Sequence, residues 1–187
     1  MGVLLALLSV IMQIAPHGGP NSPPPPLSVC EVLANPLRFN GKQIDVRGYV
    51  TSTGEGTWLN GDCKAHLVTD GFVWPDSIWI TLFPDPIEPL HEKTFATDMR
   101  ALHELSERTA EIVRLHGKEC RFWITYEGLL ETQPDLHLET VLDIDGKRRA
   151  AGFGHLAGAA AQLVVKTVRD LRVEYAQQPK SKSETGK

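Results

Sequence analysis

Apolar and polar residues alternate along KQIDVRGYVTS. Ile44, Val46, Gly48 and Val50 fall on one side, and Gln43, Asp45, Arg47 and Tyr49 on the other. A period of two is the mark of a half-buried strand. TGEG breaks it, and TWLNGDCKAHLVTDG predicts a second strand region interrupted by the Asn60-Gly61 turn. In DSIWITLF, Ile78, Ile80 and Leu82 alternate with Trp79 and Thr81, a third strand that PDPIEP ends. The period then changes. From Thr97 to His116, Met99, Leu102, Leu105, Ile112 and Leu115 recur at helical spacing, with Gly117 placed to stop the helix. KECRFWITYEGLLET returns to alternation, Cys120, Phe122, Ile124 and Tyr126 against Arg121, Trp123 and Thr125. AQLVVKTVRDLRVEY is β-branched enough for a last strand, though its alternation is blurred.

Shorter signals fill in the start. Ser28 and Glu31 stand at capping-box spacing ahead of a short helix whose apolar face is Val29, Val32 and Leu33; Pro36 ends it. Asn40-Gly41 supplies the positive φ for the turn that follows. The order is therefore strand, strand, strand, helix, strand, strand. It predicts a mainly β fold with one long helix: an OB-like five-stranded Greek-key barrel, the helix lying between the third and fourth strands. The rival architecture is an α+β sheet with a helix packed across one face.

The flanks differ from this middle. Residues 1–15 are apolar apart from Ser9 and Gln13, the length of a signal-peptide h-region and too short to span a bilayer comfortably. Residues 16–26 hold six prolines and two glycines and predict a semi-rigid linker. Residues 176–187 read as a disordered polar tail, leaving 27–175 as one folded domain.

Charge narrows the function classes. The tail carries three lysines against one glutamate, so residues 28–175 alone are net −6 within a chain of net −4. Nucleic-acid binders present a basic field; this domain on average repels a polyanion.

Three stretches carry a resemblance: SVCEVLANPLRFNGKQIDVRGYV, the later Cys63, and GFGHLAGAAAQLVVKTVRD. In these the chain resembles a group of uncharacterised exported bacterial proteins with an OB-fold-like pattern. The resemblance covers about a quarter of the chain. It implies a periplasmic or extracellular location and a small barrel, and it supplies no activity.

An exported chain with three cysteines forms one bridge and leaves one thiol over. Cys30 and Cys63 flank the first strand and its hairpin and are the expected disulfide. A pair using Cys120, or no bridge, stays open, because spacing does not fix connectivity. Lipid attachment at Cys30 is disfavoured: Val29 precedes it and eleven spacer residues separate it from the apolar run.

Candidate chemistry is sparse. None of the seven histidines has a compact zinc spacing, so no metal or cofactor is expected. Asp135, His137 and Glu139 read as a solvated edge, and the DIDG stretch, 143–146, as a turn. No catalytic pattern is present. GFGH, 152–155, is the most specific local feature, a turn that packs Phe153 and presents His155. OB-folds bind ligands on their second and third strands and adjoining loops. Trp58, Trp74 and Trp79 fall there and, with His155, are the candidate ligand-binding residues. The function expected is an exported, non-enzymatic binding module whose partner is an envelope protein, a peptide or a glycan. The alternatives are an enzyme using His155 with an acidic partner, and a single-stranded nucleic-acid binder.

Overall fold

The computed structural model describes residues 24–84, 90–117, 120–133 and 152–175. The N-terminal apolar run, most of the linker, the C-terminal tail, Asp135, His137, Glu139 and the DIDG stretch lie outside the described residues.

The chain enters the domain through the predicted capping box. Strand β1 (Leu27–Ser28) pairs parallel to the middle of β2 (Gln43–Thr53). Ser28 then caps helix α1 (Val29–Ala34): its Oγ accepts from the Glu31 N–H at 3.2 Å, and the Glu31 carboxylate accepts from the Ser28 N–H at 2.7 Å. These reciprocal bonds satisfy two backbone donors that a helix start leaves open. Val29, Val32 and Leu33 are all buried, as the pattern required. Gly41, at φ +72°, makes the turn into β2.

The remaining large strands are β3 (Gly56–Asn60), β6 (Ser77–Thr81), β7 (Cys120–Thr132) and β8 (Ala161–Tyr175), with a small β4–β5 hairpin (Val68–Thr69, Phe72–Val73) between β3 and β6. Together with β1 the large strands form a six-stranded mixed sheet. Its neighbours run β2–β3–β6–β8–β7, and β7 pairs back onto β2. All these pairs are antiparallel except β6–β8. Helix α2 (Met99–His116) lies between the third and fourth large strands in sequence; Asp98 caps it by accepting from the Ala101 N–H at 3.1 Å, and Gly117 follows at φ +74°. The order is thus the one read from the sequence, with β1 and the hairpin added. The core gathers one side of every large strand and α1, with Val46, Leu59, Ile78, Ile124, Leu130 and Leu163 almost fully buried.

Two details explain local sequence. An added Cβ at Gly48 would lie 2.6 Å from the Asn60 carbonyl and 2.7 Å from Val29 Cγ2, so the glycine lets α1 and β3 approach β2. The blurred pattern of the last strand comes from register shifts against β7. Thr125 faces Asp170 and Tyr126 faces Val168; Glu127 faces Thr167 and Gly128 faces Val165. Arg169 and Lys166 are the extra residues, and each bulge re-aims its side chain. Both converge on Glu127, Lys166 Nζ at 2.7 Å and Arg169 onto the other carboxylate oxygen. These cations, led by the Lys166 hydrogen bond, hold the Glu127 carboxyl below its ordinary value although its burial opposes this.

Cys30 in α1 is bonded to Cys63, with Cα atoms 5.3 Å apart. The bridge pins the start of the domain to the segment leaving β3. There the second strand region ends earlier than the sequence suggested: Gly61 packs on both sulfurs and donates its N–H to the Asp76 carbonyl at 2.9 Å, which turns the chain out of the sheet. Cys120 is a free, half-buried thiol. Among the described residues no helix is long and apolar enough to cross a membrane.

Candidate binding site

Strand alternation dictates the site. Leu59, Ile78, Leu163 and Leu130 point into the core, so Trp58, Trp79, Gln162 and Glu131 turn the other way. The register then aligns these four. Trp58 faces Trp79 across β3–β6, Trp79 faces Gln162 across β6–β8, and Gln162 faces Glu131 across β8–β7. They form one transverse row over four strands, about 14 Å long from three strand spacings.

At one end the rings of Trp58 and Trp79 meet edge to face, centroids 5.0 Å apart at 79°. Both are half-buried. At the other end Glu131 is fully buried. Its carboxylate accepts from Gln162 Nε2 at 2.6 Å and from the His91 N–H at 3.2 Å. Asn40 Oδ1 ties this corner together by accepting from the Thr132 N–H at 3.0 Å, with His91 Nε2 also at 3.0 Å.

The GFGH turn packs over the middle of the row. Phe153 and Ala159 exchange two backbone hydrogen bonds, which close the turn. Gly154, at φ +75°, lies so close to Trp79 that an added Cβ would come within 2.2 Å of Cε3. Gly56 flanks the same indole from the β2–β3 turn, where a Cβ would come within 1.8 Å of Cη2. Two close backbone approaches therefore set the Trp79 ring. Beyond Gly154, Leu156 and Ala157 adopt left-handed φ values of 55° and 53°, and the Leu156 side chain is 69% exposed. Such a conformation costs a non-glycine residue about 1–3 kcal/mol. His155 reaches the β2–β3 turn, its Nε2 3.4 Å from Glu55 Oε1, and both side chains stay solvent-accessible.

Beside the row lies a cavity of ≈ 520 Å³, walled by Trp79, Phe83 and Phe153 and floored by Thr81, Glu131 and Gln162. Phe83 at its rim is 72% exposed.

Three of the four residues proposed from sequence thus meet here: Trp58, Trp79 and His155. Trp74 does not. It is 1% exposed, donates its indole N–H to Thr69 Oγ1 at 2.7 Å and packs edge to face on Phe72. An aromatic residue in a nominal loop is buried because the β4–β5 hairpin folds back onto the core. Its role is support: a Cβ on Gly152 would lie 2.8 Å from Trp74 Cζ3, so Trp74 underlies the turn. Sequence reading missed Glu55, Glu131 and Gln162. The usable signal was a lone polar residue inside an apolar run, Gln162 in AAAQLVV, because a buried polar group is the informative exception.

Among the described residues no group of three or more His, Cys, Asp or Glu side chains is gathered as a metal site. Comparison with protein-family models, with curated proteins and with solved structures gives no match.

Proposed function

We propose that this chain is an exported, non-enzymatic binding module built on an OB-like Greek-key barrel. Three observations support the architecture: the pairings return from β7 to β2, the β6–β8 pair is parallel, and α2 falls between the third and fourth large strands. The resemblance to exported bacterial proteins and the Cys30–Cys63 bridge support a periplasmic or extracellular location, since disulfides persist in oxidising compartments.

The observation that carries the function is the row Trp58–Trp79–Gln162–Glu131, crossed by the 152–159 turn and reached by the β2–β3 turn through Glu55 and His155. It offers aromatic surface at the Trp58–Trp79 end, on strands and loops that OB-folds use for ligands, and the buried Gln162–Glu131 pair anchors the other end. The ligand class is a peptide, an envelope protein or a glycan. The domain's net −6 argues against a nucleic acid. The test is binding of peptide and glycan panels to the whole chain and to Trp58→Ala. Binding that depends on Trp58 is expected; binding indifferent to it, or none, contradicts the proposal.

One observation favours a second reading, an enzyme. The His155–Glu55 contact of 3.4 Å pairs an imidazole with a carboxylate, the arrangement that orients a general base. Both side chains are exposed, and the Thr53 hydroxyl meets the Glu55 backbone N–H at 3.1 Å, not its carboxylate. A hydrolytic activity abolished by both His155→Ala and Glu55→Gln would establish it. Unchanged or absent turnover in both variants removes it.

A further inference from the structure

We infer that the groove between α2 and the free edge of β8 takes an extended peptide segment of another protein, hydrogen-bonded to β8 as an added strand. The groove shares no residue with the Trp58–Trp79–Gln162–Glu131 row.

Strand pairing leaves this edge open. β6 pairs with β8 from Gln162 to Val164. The next two carbonyls are taken by residues leading into α2: Val165 accepts from Thr97 Oγ1 at 2.9 Å, and Lys166 from the Asp98 N–H at 2.7 Å. β7 holds the opposite edge as far as Tyr175. From Thr167 onward, among the described residues, β8 is therefore paired as a strand on one side only. An antiparallel strand turns the N–H and C=O of alternate residues away from its partner. Such a row is a template for a further strand.

Helix α2 runs along the edge without sealing it. Asp98 meets Lys166 at one end, and His116 meets Tyr175 at the other, with ring centroids 5.0 Å apart. The helix between these points is about 27 Å long and the strand about 30 Å, so their lengths match. Yet no α2 residue is buried, and Leu102, Leu105, Ile112 and Val113 are all half-buried. A groove of ≈ 270 Å³ remains, lined on the helix by Ala101, Glu104, Leu105 and Arg108 and on the strand by Val168–Leu171. The helix residues stand at i, i+3, i+4 and i+7, a single face. The strand residues are consecutive, and consecutive side chains point to opposite faces of a sheet. All four line one groove because its wall is the edge of the strand. Charged side chains commonly blunt such an edge, but here they are drawn toward β7 and β2. Arg169 is held by Glu127 and by Asp45 at 3.4 Å, and Asp170 by Arg47 at 3.3 Å.

The walls select the occupant. Backbone donors and acceptors lie on one side and the aliphatic side chains of Leu105, Val168 and Leu171 beside them. An extended peptide matches both at once, pairing through its main chain and seating alternate side chains. The volume falls below the range of small-molecule pockets, about 300–1,000 Å³. A second copy's edge would bring its own α2 against this one, whereas a single extended chain enters alone.

The test uses the full chain and random decapeptides displayed on phage. The selected peptide is synthesised with blocked ends and titrated by calorimetry and amide NMR. Aliphatic or β-branched residues are expected at every second position, with amide shifts confined to residues 101–108 and 167–171. N-methylating two alternate residues that face the edge should weaken binding about tenfold or more, the loss of two backbone hydrogen bonds; methylating the intervening pair should do less. Ala101→Trp, which fills the groove, should also weaken it about tenfold or more. His103→Trp, at an exposed α2 position, and Trp58→Ala should leave it unchanged. If Ala101→Trp does not fold, the methylated peptides and the amide map decide. Selection of no peptide, equal binding of both methylated forms, or binding lost in Trp58→Ala overturns the inference. Dimerisation abolished by Ala101→Trp would assign the groove to a second copy, and amides of residues 176–187 shifted by Ala101→Trp alone would assign it to the chain's own tail; either also overturns it.

Discussion

Replacing Cys30 and Cys63 together by alanine should cost a large share of the domain's stability. The bridge joins residues 33 apart in sequence, pinning α1 to the segment that leaves β3. The loop-closure model gives about 3.7 kcal/mol at 25 °C for a loop of that length, almost all of it from the unfolded chain. For a domain of this size that is a fall in Tm of roughly 7–15 °C. Folded-state losses add to it, because Gly61 lies so close to the bridge that an added Cβ would come within 2.9 Å of Cys30 Sγ and 3.2 Å of Cys63 Sγ. The assay is urea unfolding of the oxidised protein, the reduced protein and the double variant, followed by tryptophan fluorescence. Oxidised protein should unfold at the highest urea midpoint, with the other two close together. The slope with urea should steepen in both, because an unlinked denatured chain exposes more surface. A midpoint unmoved by reduction, or moved instead by Cys120→Ser, would refute the pairing. A lower midpoint with an unchanged slope would refute the chain-entropy account of it.

Other consequences follow from the same geometry. Gly154→Ala places a Cβ against Trp79 at φ +75° and should destabilise the domain by roughly 1–3 kcal/mol in urea titrations, with weakened ligand binding. The Glu127 carboxyl is held below its ordinary value of 4.5, chiefly by the Lys166 hydrogen bond, so its stabilisation is present above that pH and fades as pH falls through the lower folded value. Glu127→Gln should accordingly flatten the acid limb of the stability–pH curve; an unchanged limb contradicts the assignment. Burial pushes the Tyr126 phenol up to about 12 from 10.0, so its neutral form stabilises the fold below pH 10 and that contribution is lost as pH rises toward 12. In an alkaline absorbance titration Tyr126→Phe should remove the last tyrosine to ionise in the folded protein.

Local signals transmitted well because they depend on neighbouring residues. The Ser28–Glu31 box, the Asn40-Gly41 turn and the helix ending at His116 each rest on chemistry within one or two turns. Period-two alternation carried β2, β6 and β7 for the same reason. Alternation in β8 was unreadable because its bulges depend on β7, forty residues away, and on Glu127 drawing Lys166 and Arg169 to one side. The site followed the same division. Trp58 and Trp79 were legible as aromatic strand residues, and His155 as the head of a glycine-bounded turn. Trp74 misled because burial of a loop tryptophan depends on the tertiary return of the hairpin. The transverse row was invisible, since Gln162 and Glu131 join the tryptophans only through strand register, which no single strand's pattern encodes.

The most direct test of the central claim is affinity capture from an envelope extract with three immobilised forms: the unmodified chain, Trp58→Ala and Trp123→Ala. Trp123 is a suitable control, because it lies toward the other end of β7 and its indole N–H donates to Glu174 at 2.8 Å, away from the row. Bound peptides, proteins and glycans are identified by mass spectrometry, and each is then titrated in purified form. The binding-module account predicts a defined ligand held by the unmodified chain and Trp123→Ala and lost from Trp58→Ala. Equal retention by all three forms, or loss from Trp123→Ala alone, would contradict it.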